Sequence, residues 1–286
     1  MLRKVLRTCG TNETVVSVPA MKPMTVAMVM GQQDSLADAC ERRLICDNPP
    51  RMNIGLFGGT FDPVHKGHLA VARAAAERFH LGKVYFIPAS MPPHRQDERI
   101  TAFHDRYAML ALATVSEKRF LPSLAEAPAE QDHLSFTIDT VRRFKQAAGR
   151  SDHLFFIIGI DAFLQVAGWH RSEDLLREID FIVVSRPGFS MADVADALPK
   201  PLRPPPAVVK AFRKSPAKGT LALRNTMIHI LDEVKSQVSA TEARRAAAGG
   251  KSLARFVEPL VAEYIKKMGL YKAAGRKQDA GSRTKT

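Results

Sequence analysis

Two histidines three residues apart are the clearest candidates for chemistry in this sequence. His65 and His68 close the segment Gly-Gly-Thr-Phe-Asp-Pro-Val-His-Lys-Gly-His, which starts at Gly58. Residues three apart lie on one side of a helix, so a helix that begins here would place both imidazoles together. Imidazole N–H groups could stabilise the charge that grows on phosphate oxygens during attack at phosphorus. The alternative is a structural turn with two surface histidines.

The flanking residues predict a strand before this segment and a helix after it. An apolar run covers 54–57, and the alanine-rich stretch 69–79 has helical composition. In a parallel sheet, the loop from a strand to the next helix is where backbone N–H groups and the helix dipole bind phosphate. The two glycines allow backbone to approach a ligand with no Cβ in the way. The segment is therefore predicted to be a phosphate-binding loop.

Predicted strands and helices alternate along most of the remaining chain. Strands are predicted over 83–88, 120–121, 153–159, 180–185 and 227–231, and helices over 102–115, 135–147, 161–166, 175–179, 241–248 and 253–268. The run 153–159 is almost continuously apolar, which is typical of a central parallel strand buried on both faces. The order predicts an α/β fold, a doubly wound Rossmann-like parallel sheet with helices on both faces.

The chain is predicted to contain one folded domain, 52–271, between two polar segments. Residues 1–51 show no sustained hydrophobic period, so we predict a disordered extension. Met52 directly precedes the first strand, which leaves open that translation begins there. The stretch 187–224 is rich in proline and basic residues and is predicted to be a surface insertion or linker. Residues 272–286 are predicted to form a basic disordered tail.

The distribution of charge indicates which binding partners are plausible, and the cysteines indicate the cellular compartment. The formal net charge of +13 is concentrated in 200–224 and 272–285. A solvated surface is the preferred interpretation, with nucleic-acid contact, acidic partners or attraction of polyphosphates as alternatives. The three cysteines all precede the first strand and fit no zinc pattern, which indicates a reducing, cytoplasmic compartment. We expect no membrane association, because no apolar run reaches transmembrane length.

The glycine and histidine segment resembles the hallmark of a known superfamily. Gly-x-Phe-x-Pro-x-His-x-Gly-His at 59–68 is similar to the signature of the nucleotidylyltransferases. Later blocks make the chain, over about 52–271, similar to the bacterial nicotinate-nucleotide adenylyltransferase family. These blocks are Pro92-Pro-His-Arg95, Ser135-Phe-Thr-Ile-Asp-Thr140, Phe156-Ile-Ile-Gly-Ile-Asp161, Trp169, Ser185-Arg-Pro-Gly188, Val238-Ser-Ala-Thr-Glu-Ala-Arg244, Tyr264-Ile265 and Gly269-Leu-Tyr271.

The resemblance implies that a nicotinate mononucleotide phosphate attacks the α-phosphate of ATP, giving deamido-NAD and pyrophosphate with Mg²⁺. The nucleophile is already anionic at neutral pH, so no general base is needed. What the reaction requires is positioning of two polyanions and stabilisation of charge. Mg²⁺ is expected to arrive with ATP, without protein metal ligands. A homo-oligomer is left open, and no specific nucleic acid is expected.

The resemblance also implies the residues of the ATP site. His65, His68 and Arg244 are assigned to catalysis. The ATP-binding residues would be Gly58, Gly59, Thr60, Phe61, His65, His68, Gly159, Asp161, Ser239, Thr241 and Arg244. On sequence alone, an exposed helix arginine is the alternative for Arg244, and a plain helix N-cap is the alternative for Asp161.

The acceptor site is implied in the same way. The residues that would bind nicotinate mononucleotide are Thr60, His94, Arg95, Thr137, Thr140, Trp169 and His170. Trp169 would stack on the nicotinate ring, with the backbone N–H of His170 near the carboxylate. Core packing is the alternative for this single tryptophan, and an exposed basic turn is the alternative for His94 and Arg95.

Two other functions stay open at this point. The first is the same transfer to another phosphate acceptor, either nicotinamide mononucleotide or phosphopantetheine. The second is a catalytically inactive protein that binds nucleotides or nucleic acid through its basic segments. Turnover measured with each acceptor distinguishes the first alternative from transfer to nicotinate mononucleotide. Release of pyrophosphate distinguishes an enzyme from the catalytically inactive alternative.

Overall fold

A seven-stranded sheet forms the centre of the molecule. The computed structural model describes residues 51–90, 100–128, 136–186, 188–214, 219–232, 234 and 238–272. The strands are β1 Asn53–Gly59, β2 Leu81–Pro88, β3 Phe120–Pro122, β4 His153–Gly159, β5 Asp180–Val184, β6 Thr220–Ala222 and β7 Met227–Leu231. Their order is β3-β2-β1-β4-β5-β7-β6, with every pairing parallel except that of β6 with β7.

Helices cover both faces of this sheet. They are α1 Lys66–Arg78, α2 Phe103–Thr114, α3 Thr137–Ala147, α4 Ile160–Phe163, α5 Ser172–Glu178, α6 Met191–Asp196, α7 Pro206–Lys214, α8 Ala240–Ala248 and α9 Pro259–Met268, with 3₁₀ turns at Val166–Gly168 and Lys200–Leu202. One apolar cluster contains residues of α1, α2, α8 and α9, and the other contains residues of α3 to α6. The predicted doubly wound α/β fold is confirmed. None of the described helices is long and apolar enough to cross a membrane.

The apolar run of β4 explains the two-layer arrangement. Phe155 and Ile157 belong to one cluster, whereas Phe156 and Ile158 belong to the other. Successive side chains of a strand point to opposite faces, so a strand between two helical layers must be apolar at consecutive positions. The predicted bounds 153–159 coincide with the observed strand.

The interpretation of 187–224 as a linker is wrong for the part that the structure describes. Helix α6 is buried through Met191, Val194 and Ala195, and Leu198 follows with no exposed surface. Its start is marked by a capping box between Ser190 and Asp193. This segment packs against the sheet because its short helix is apolar on one side, and all but one of its prolines lie after that helix. Whether the segment is an insertion relative to other proteins stays a prediction.

The helix predicted over 253–268 begins only at Pro259. Proline has no N–H and disfavours helical backbone in the residue before it, and Glu258 is accordingly extended, with ψ 152°. Proline is well suited to the first helical position, so it starts α9 rather than interrupting it. The other predicted helices and strands are confirmed, with small shifts of their ends. The predicted extension up to residue 50 and the tail from 273 lie outside the described residues.

Candidate active site

A cavity of about 570 Å³ lies at the carboxyl ends of β1, β4 and β5. The strand order reverses between β1 and β4, and in open parallel sheets this switch point is where ligands bind. The cavity brings together the predicted phosphate loop, the start of α4 and the start of α8. The sequence-predicted residues that line it are Gly58, Gly59, Thr60, Phe61, His65, His68, Gly159, Asp161, Ser239 and Thr241.

The two histidines cap α1 through each other. His65 is the N-cap, and its Nδ1 accepts from the backbone N–H of His68 at 3.3 Å. In return the Nδ1 of His68 accepts from the backbone N–H of His65 at 3.2 Å. The rings stack with centroids 3.7 Å apart. An Nδ1 that accepts must carry no proton, so both imidazoles are Nε2–H tautomers.

Both histidines are held in the neutral form. Burial, together with the charge of Arg186, lowers the pKa of His65 to about 4. Burial and the neighbouring His65 lower the pKa of His68 well below its ordinary value. The pair therefore offers two neutral N–H donors at a helix N-terminus, where backbone N–H groups also favour anions. The alternative of two surface histidines in a structural turn does not fit this packing.

The low pKa of His65 predicts a specific loss of stability in acid. We expect the wild type to lose about 2 kcal/mol more unfolding free energy than His65→Asn when the pH falls from 7.5 to 5. Between pH 6.5 and about 4 only the unfolded chain protonates His65, so acid favours unfolding. Asparagine is a good N-cap and does not titrate. Urea unfolding at both pH values checks this, and equal pH dependence of the two proteins would contradict it.

The glycines of the loop are required by the packing of the protein itself. A Cβ on Gly58 would lie 2.8 Å from the ring of Phe156, and one on Gly59 would lie 3.1 Å from the ring of Phe61. Phe61 has 1% of its surface exposed and packs edge-on against Phe57 and His68. The glycines thus keep aromatic rings directly behind the loop, and this fixes the position of His68.

Helix α8 brings a second N-terminus to the cavity. Ser239 is its N-cap and forms a capping box with Glu242. Arg244 lies one turn into the helix, where its Nη1 donates to the carbonyl of Asp62 at 2.7 Å and its Nη2 lies 3.4 Å from the hydroxyl of Thr241. Since both partners line the cavity, Arg244 stands at its edge. It is not the exposed helix arginine that the sequence alone favours.

Asp161 lies in the first turn of α4 and faces a basic partner. Gly159 is the N-cap of this helix, so the alternative that Asp161 is the cap is wrong. The carboxylate of Asp161 pairs with Arg186 at 3.0 Å across the cavity mouth. Sequence reasoning gave Arg186 no role, although the residue belongs to the block 185–188. Its position directly after β5 was the available signal, because the carboxyl ends of central strands carry the site.

Of the residues predicted for the acceptor, the structure places His170 next to the start of α3. His170 stacks on Phe136, the residue before α3, with ring centroids 4.0 Å apart. Trp169 packs partly against the second apolar cluster, so core packing accounts for part of its surface. Its indole Nε1 is buried and has no hydrogen-bond partner among the described residues. Buried indole N–H groups usually have a partner, so this unpaired donor is an exception among the described side chains.

Thr140 is more deeply placed than a ligand-lining residue. It has no exposed surface, and its hydroxyl donates to Glu126 at 3.0 Å. Burial raises the pKa of Glu126 to about 7, against the lowering effect of this hydrogen bond. Sequence reasoning missed Glu126. Thr137 is partly exposed at the start of α3, whereas His94 and Arg95 lie outside the described residues.

The fold and this site define a class of protein. A doubly wound sheet with a Gly-Gly loop and a His-x-Gly-His helix start at the switch point is the architecture of nucleotidyltransferases. Residues 56–246 match the family model described as Cytidylyltransferase-like.

The curated relatives give the family. Those from Pelobacter propionicus and Moorella thermoacetica both carry the name "Probable nicotinate-nucleotide adenylyltransferase". The first is 37% identical over 221 residues, which are 77% of this chain and 98% of that protein. The second is 35% identical over 219 residues, which are 77% of this chain and 91% of that protein. The chain belongs to the nicotinate-nucleotide adenylyltransferase family.

A solved structure has the same fold. The Plasmodium falciparum nicotinic acid mononucleotide adenylyltransferase, complexed with NaAD, superposes with a TM-score of 0.55 at 18% identity, covering 77% of this chain and 98% of that chain. At this identity the likeness concerns the fold.

Proposed function

We propose that this chain transfers the adenylyl group of ATP to nicotinate mononucleotide, giving deamido-NAD and pyrophosphate. The observation that carries the proposal is the reciprocal capping of His65 and His68, which leaves two neutral Nε2–H donors at the cavity. Membership of the family supports the reaction, and the position of the cavity at the switch point supports nucleotide binding.

The chemistry needs donors rather than a base. A phosphate oxygen of the acceptor forms a bond to the α-phosphorus of ATP, while the bond from that phosphorus to the oxygen bridging to the β-phosphorus breaks. Pyrophosphate leaves with the electron pair, and no proton is removed from the nucleophile. Negative charge shifts onto the oxygens of the transferring group and of the leaving group, where His65 and His68 would donate. A neutral imidazole cannot lose this role to deprotonation at physiological pH.

The triphosphate would lie between two helix N-termini. Helix α1 supplies the histidine pair, and α8 supplies its first-turn N–H groups beside Ser239 and Thr241. Arg244 would contact the leaving phosphates with its planar fork. The ribose would hydrogen-bond to Asp161, in competition with Arg186, which holds that carboxylate in the absence of ligand. Thr60 would hold a phosphate between the two substrates.

Mg²⁺ would come with the nucleotide. The described residues contain no group of three or more histidine, cysteine or acidic side chains that could hold a metal ion. Mg²⁺ keeps several waters and is commonly bound through substrate phosphates with few protein ligands. When bound, the ion supplies positive charge that offsets the negative charge of the phosphates.

The nicotinate ring is assigned to the residues predicted for the acceptor. Trp169 would provide the stacking surface, and the start of α3 at Thr137 would close the other side of the pocket. The backbone N–H of His170 would meet the carboxylate. Thr140 would act indirectly, because its hydroxyl is engaged by Glu126. His94 and Arg95 are proposed to bind the phosphate of the acceptor.

Replacing Trp169 by alanine is expected to raise the KM for nicotinate mononucleotide about tenfold and to leave the KM for ATP unchanged. The loss follows from the missing ring face. Trp169→Phe keeps an aromatic face and is expected to retain most of the affinity. Steady-state kinetics with each substrate varied in turn provides the measurement. Equal KM values for Trp169→Ala and Trp169→Phe would remove the stacking role.

The proposal is tested by comparing acceptors. Purified protein with ATP and Mg²⁺ is supplied with nicotinate mononucleotide, nicotinamide mononucleotide or phosphopantetheine, and pyrophosphate is measured. We expect the highest kcat/KM with nicotinate mononucleotide. Higher efficiency with the amide or with phosphopantetheine would refute the proposed acceptor and leave the transfer chemistry in place. No pyrophosphate with any acceptor would favour the catalytically inactive alternative.

A further inference from the structure

A buried carboxylate lies directly behind the phosphate loop. Asp62 has 4% of its surface exposed. Its Oδ1 accepts from the hydroxyl of Tyr271 at 2.6 Å, and its Oδ2 accepts from the backbone N–H of Thr101 at 3.2 Å. Buried carboxylates are stable only when donors satisfy them, so these two bonds fix the side chain of Asp62.

The cation that accompanies this carboxylate is also buried. Arg106 has 1% of its surface exposed, and its guanidinium donates to three backbone carbonyls, those of Thr60, Ser90 and Thr101. It thereby joins the loop after β1 to the loops after β2 and before α2. Burial lowers the pKa of Arg106, and the negative charge of Asp62 partly counters that effect. Asp62 and Arg106 are therefore neighbours that share the same loops without being directly hydrogen-bonded.

The backbone of Asp62 carries a third connection. Its carbonyl accepts from the Nη1 of Arg244 at 2.7 Å. Asp62 thus links Tyr271, which follows α9, through its side chain to Arg244 through its main chain. A shift of Asp62 would move the anchor of Arg244 and the adjacent Thr60 together.

Tyr271 adopts a backbone conformation that is unfavourable for a tyrosine. Its φ is +63°, in the left-handed region, two residues after Gly269, which ends α9. Such conformations cost on the order of 1 kcal/mol for residues with a Cβ and persist where other contacts determine them. The phenol makes a short bond to Asp62 here and a longer contact with the Sδ of Met109.

We propose that Tyr271 is a positioning residue of the ATP site, whose hydroxyl fixes Asp62 so that the phosphate loop and Arg244 are held ready for the triphosphate. The inference rests on the proposed function only where the KM for ATP is measured from turnover. Without the hydroxyl, the Asp62 carboxylate loses one of two donors, while Arg106 stays as a neighbouring cation. The carboxylate then turns toward that guanidinium, and the peptide that anchors Arg244 turns with it.

The chain offers a matched control for the test. The hydroxyl of Tyr264, on α9, donates at 2.7 Å to Asp105, which belongs to α2 and not to the phosphate loop. Tyr271→Phe and Tyr264→Phe each remove one hydroxyl that ties the C-terminal part of the chain to a carboxylate. For Tyr271→Phe we expect the Kd for ATP, by calorimetry, and the KM for ATP to rise about tenfold, with an unchanged KM for the acceptor. For Tyr264→Phe we expect both constants to stay at the wild-type value.

A double-mutant cycle with Arg244→Lys separates positioning from general weakening. If Tyr271 acts through Asp62 and Arg244, its replacement costs clearly less in the Arg244→Lys background, whereas independent effects multiply. Equal ATP affinities for the two phenylalanine variants, or multiplicative effects in the cycle, would overturn the proposal.

A second pair of variants tests the proposal if Tyr271→Phe does not fold. Asp62→Asn keeps an oxygen that accepts from Tyr271, and Asp62→Ala does not, so we expect the alanine variant to lose more ATP affinity than the asparagine variant. Equal losses would overturn the proposal. ATP binding needs no acceptor, so weaker binding by Tyr271→Phe would sustain this inference even if nicotinate mononucleotide proved to be the wrong acceptor.

Discussion

Replacing His68 by asparagine is expected to lower kcat by about two to three orders of magnitude and to leave ATP binding nearly unchanged. The side-chain oxygen of asparagine can take the place of Nδ1, which accepts from the backbone N–H of His65 in the native helix cap. The Nε2–H that would donate to the transferring phosphoryl group is lost. Because that donation strengthens as charge develops, its removal affects turnover more than ground-state affinity.

The matched variant is His68→Gln, whose longer side chain places an amide N–H near the position of Nε2. It is expected to recover part of the activity, although it caps the helix less well. Circular dichroism and urea unfolding establish that both variants are folded, and pyrophosphate release with saturating substrates gives kcat. An unchanged kcat for His68→Asn would remove His68 from catalysis. Glutamine and asparagine variants that are equally inactive would show that the ring acts through its packing rather than through Nε2–H.

The tautomer of the histidines could not be read from the sequence. Spacing predicts that His65 and His68 lie on one side of a helix, and the structure confirms it. The reciprocal use of Nδ1 depends on the loop entering α1 with His65 in extended backbone at φ −138°. That entry angle is set by tertiary contacts, such as the bond from the backbone N–H of Lys66 to the carbonyl of Phe256. The sequence pattern around His65 contains no information on Phe256, which lies almost two hundred positions away.

The sheet was predictable because its signal is local. An apolar run buried on both faces identifies β4 without knowledge of its neighbours, and the alternation of strands and helices predicts that the strands are parallel. The short antiparallel strand β6 was not predicted. The helix α6 was missed because six residues are too few for a periodic pattern, and prolines follow it. The start of α9 at Pro259 was misplaced because the apolar residues before it suggested a longer helix, although the proline was visible.

Packing inside the protein gives the loop glycines a second role that the sequence does not show. Gly58 and Gly59 are predicted to admit a ligand, and the structure adds that a Cβ on Gly58 would clash with Phe156 and one on Gly59 would lie in tight contact with Phe61. The support of the site was predictable only in part. The side chains of Asp62 and Tyr271 are hydrogen-bonded across 209 positions, and no spacing rule connects them. The resemblance of Gly269-Leu-Tyr271 to the end of the family's sequences singles out Tyr271 but does not indicate that it binds Asp62.

Arg244→Lys is expected to reduce kcat/KM for ATP about thirtyfold to a hundredfold. The guanidinium uses Nη1 for the carbonyl of Asp62, and its planar fork presents further N–H groups from a fixed position. A lysine ammonium keeps the charge, yet it cannot hold the Asp62 carbonyl and align two donors on a phosphate at once. The loss of kcat/KM is therefore expected to come from the missing planar geometry of the guanidinium rather than from a change of charge.

Arg245 provides the control, because it is the next residue of α8 and is exposed to solvent. Arg245→Lys preserves the charge of the helix in the same way and is expected to leave kcat and the KM for ATP at wild-type values. Steady-state kinetics at two ionic strengths completes the measurement. If long-range attraction of the polyanion were the contribution of Arg244, its lysine variant would behave like that of Arg245, and both would lose affinity equally with salt. If the planar fork of the guanidinium matters, Arg244→Lys stays impaired by the same factor at both ionic strengths, since the missing hydrogen bond is short-range and partly buried.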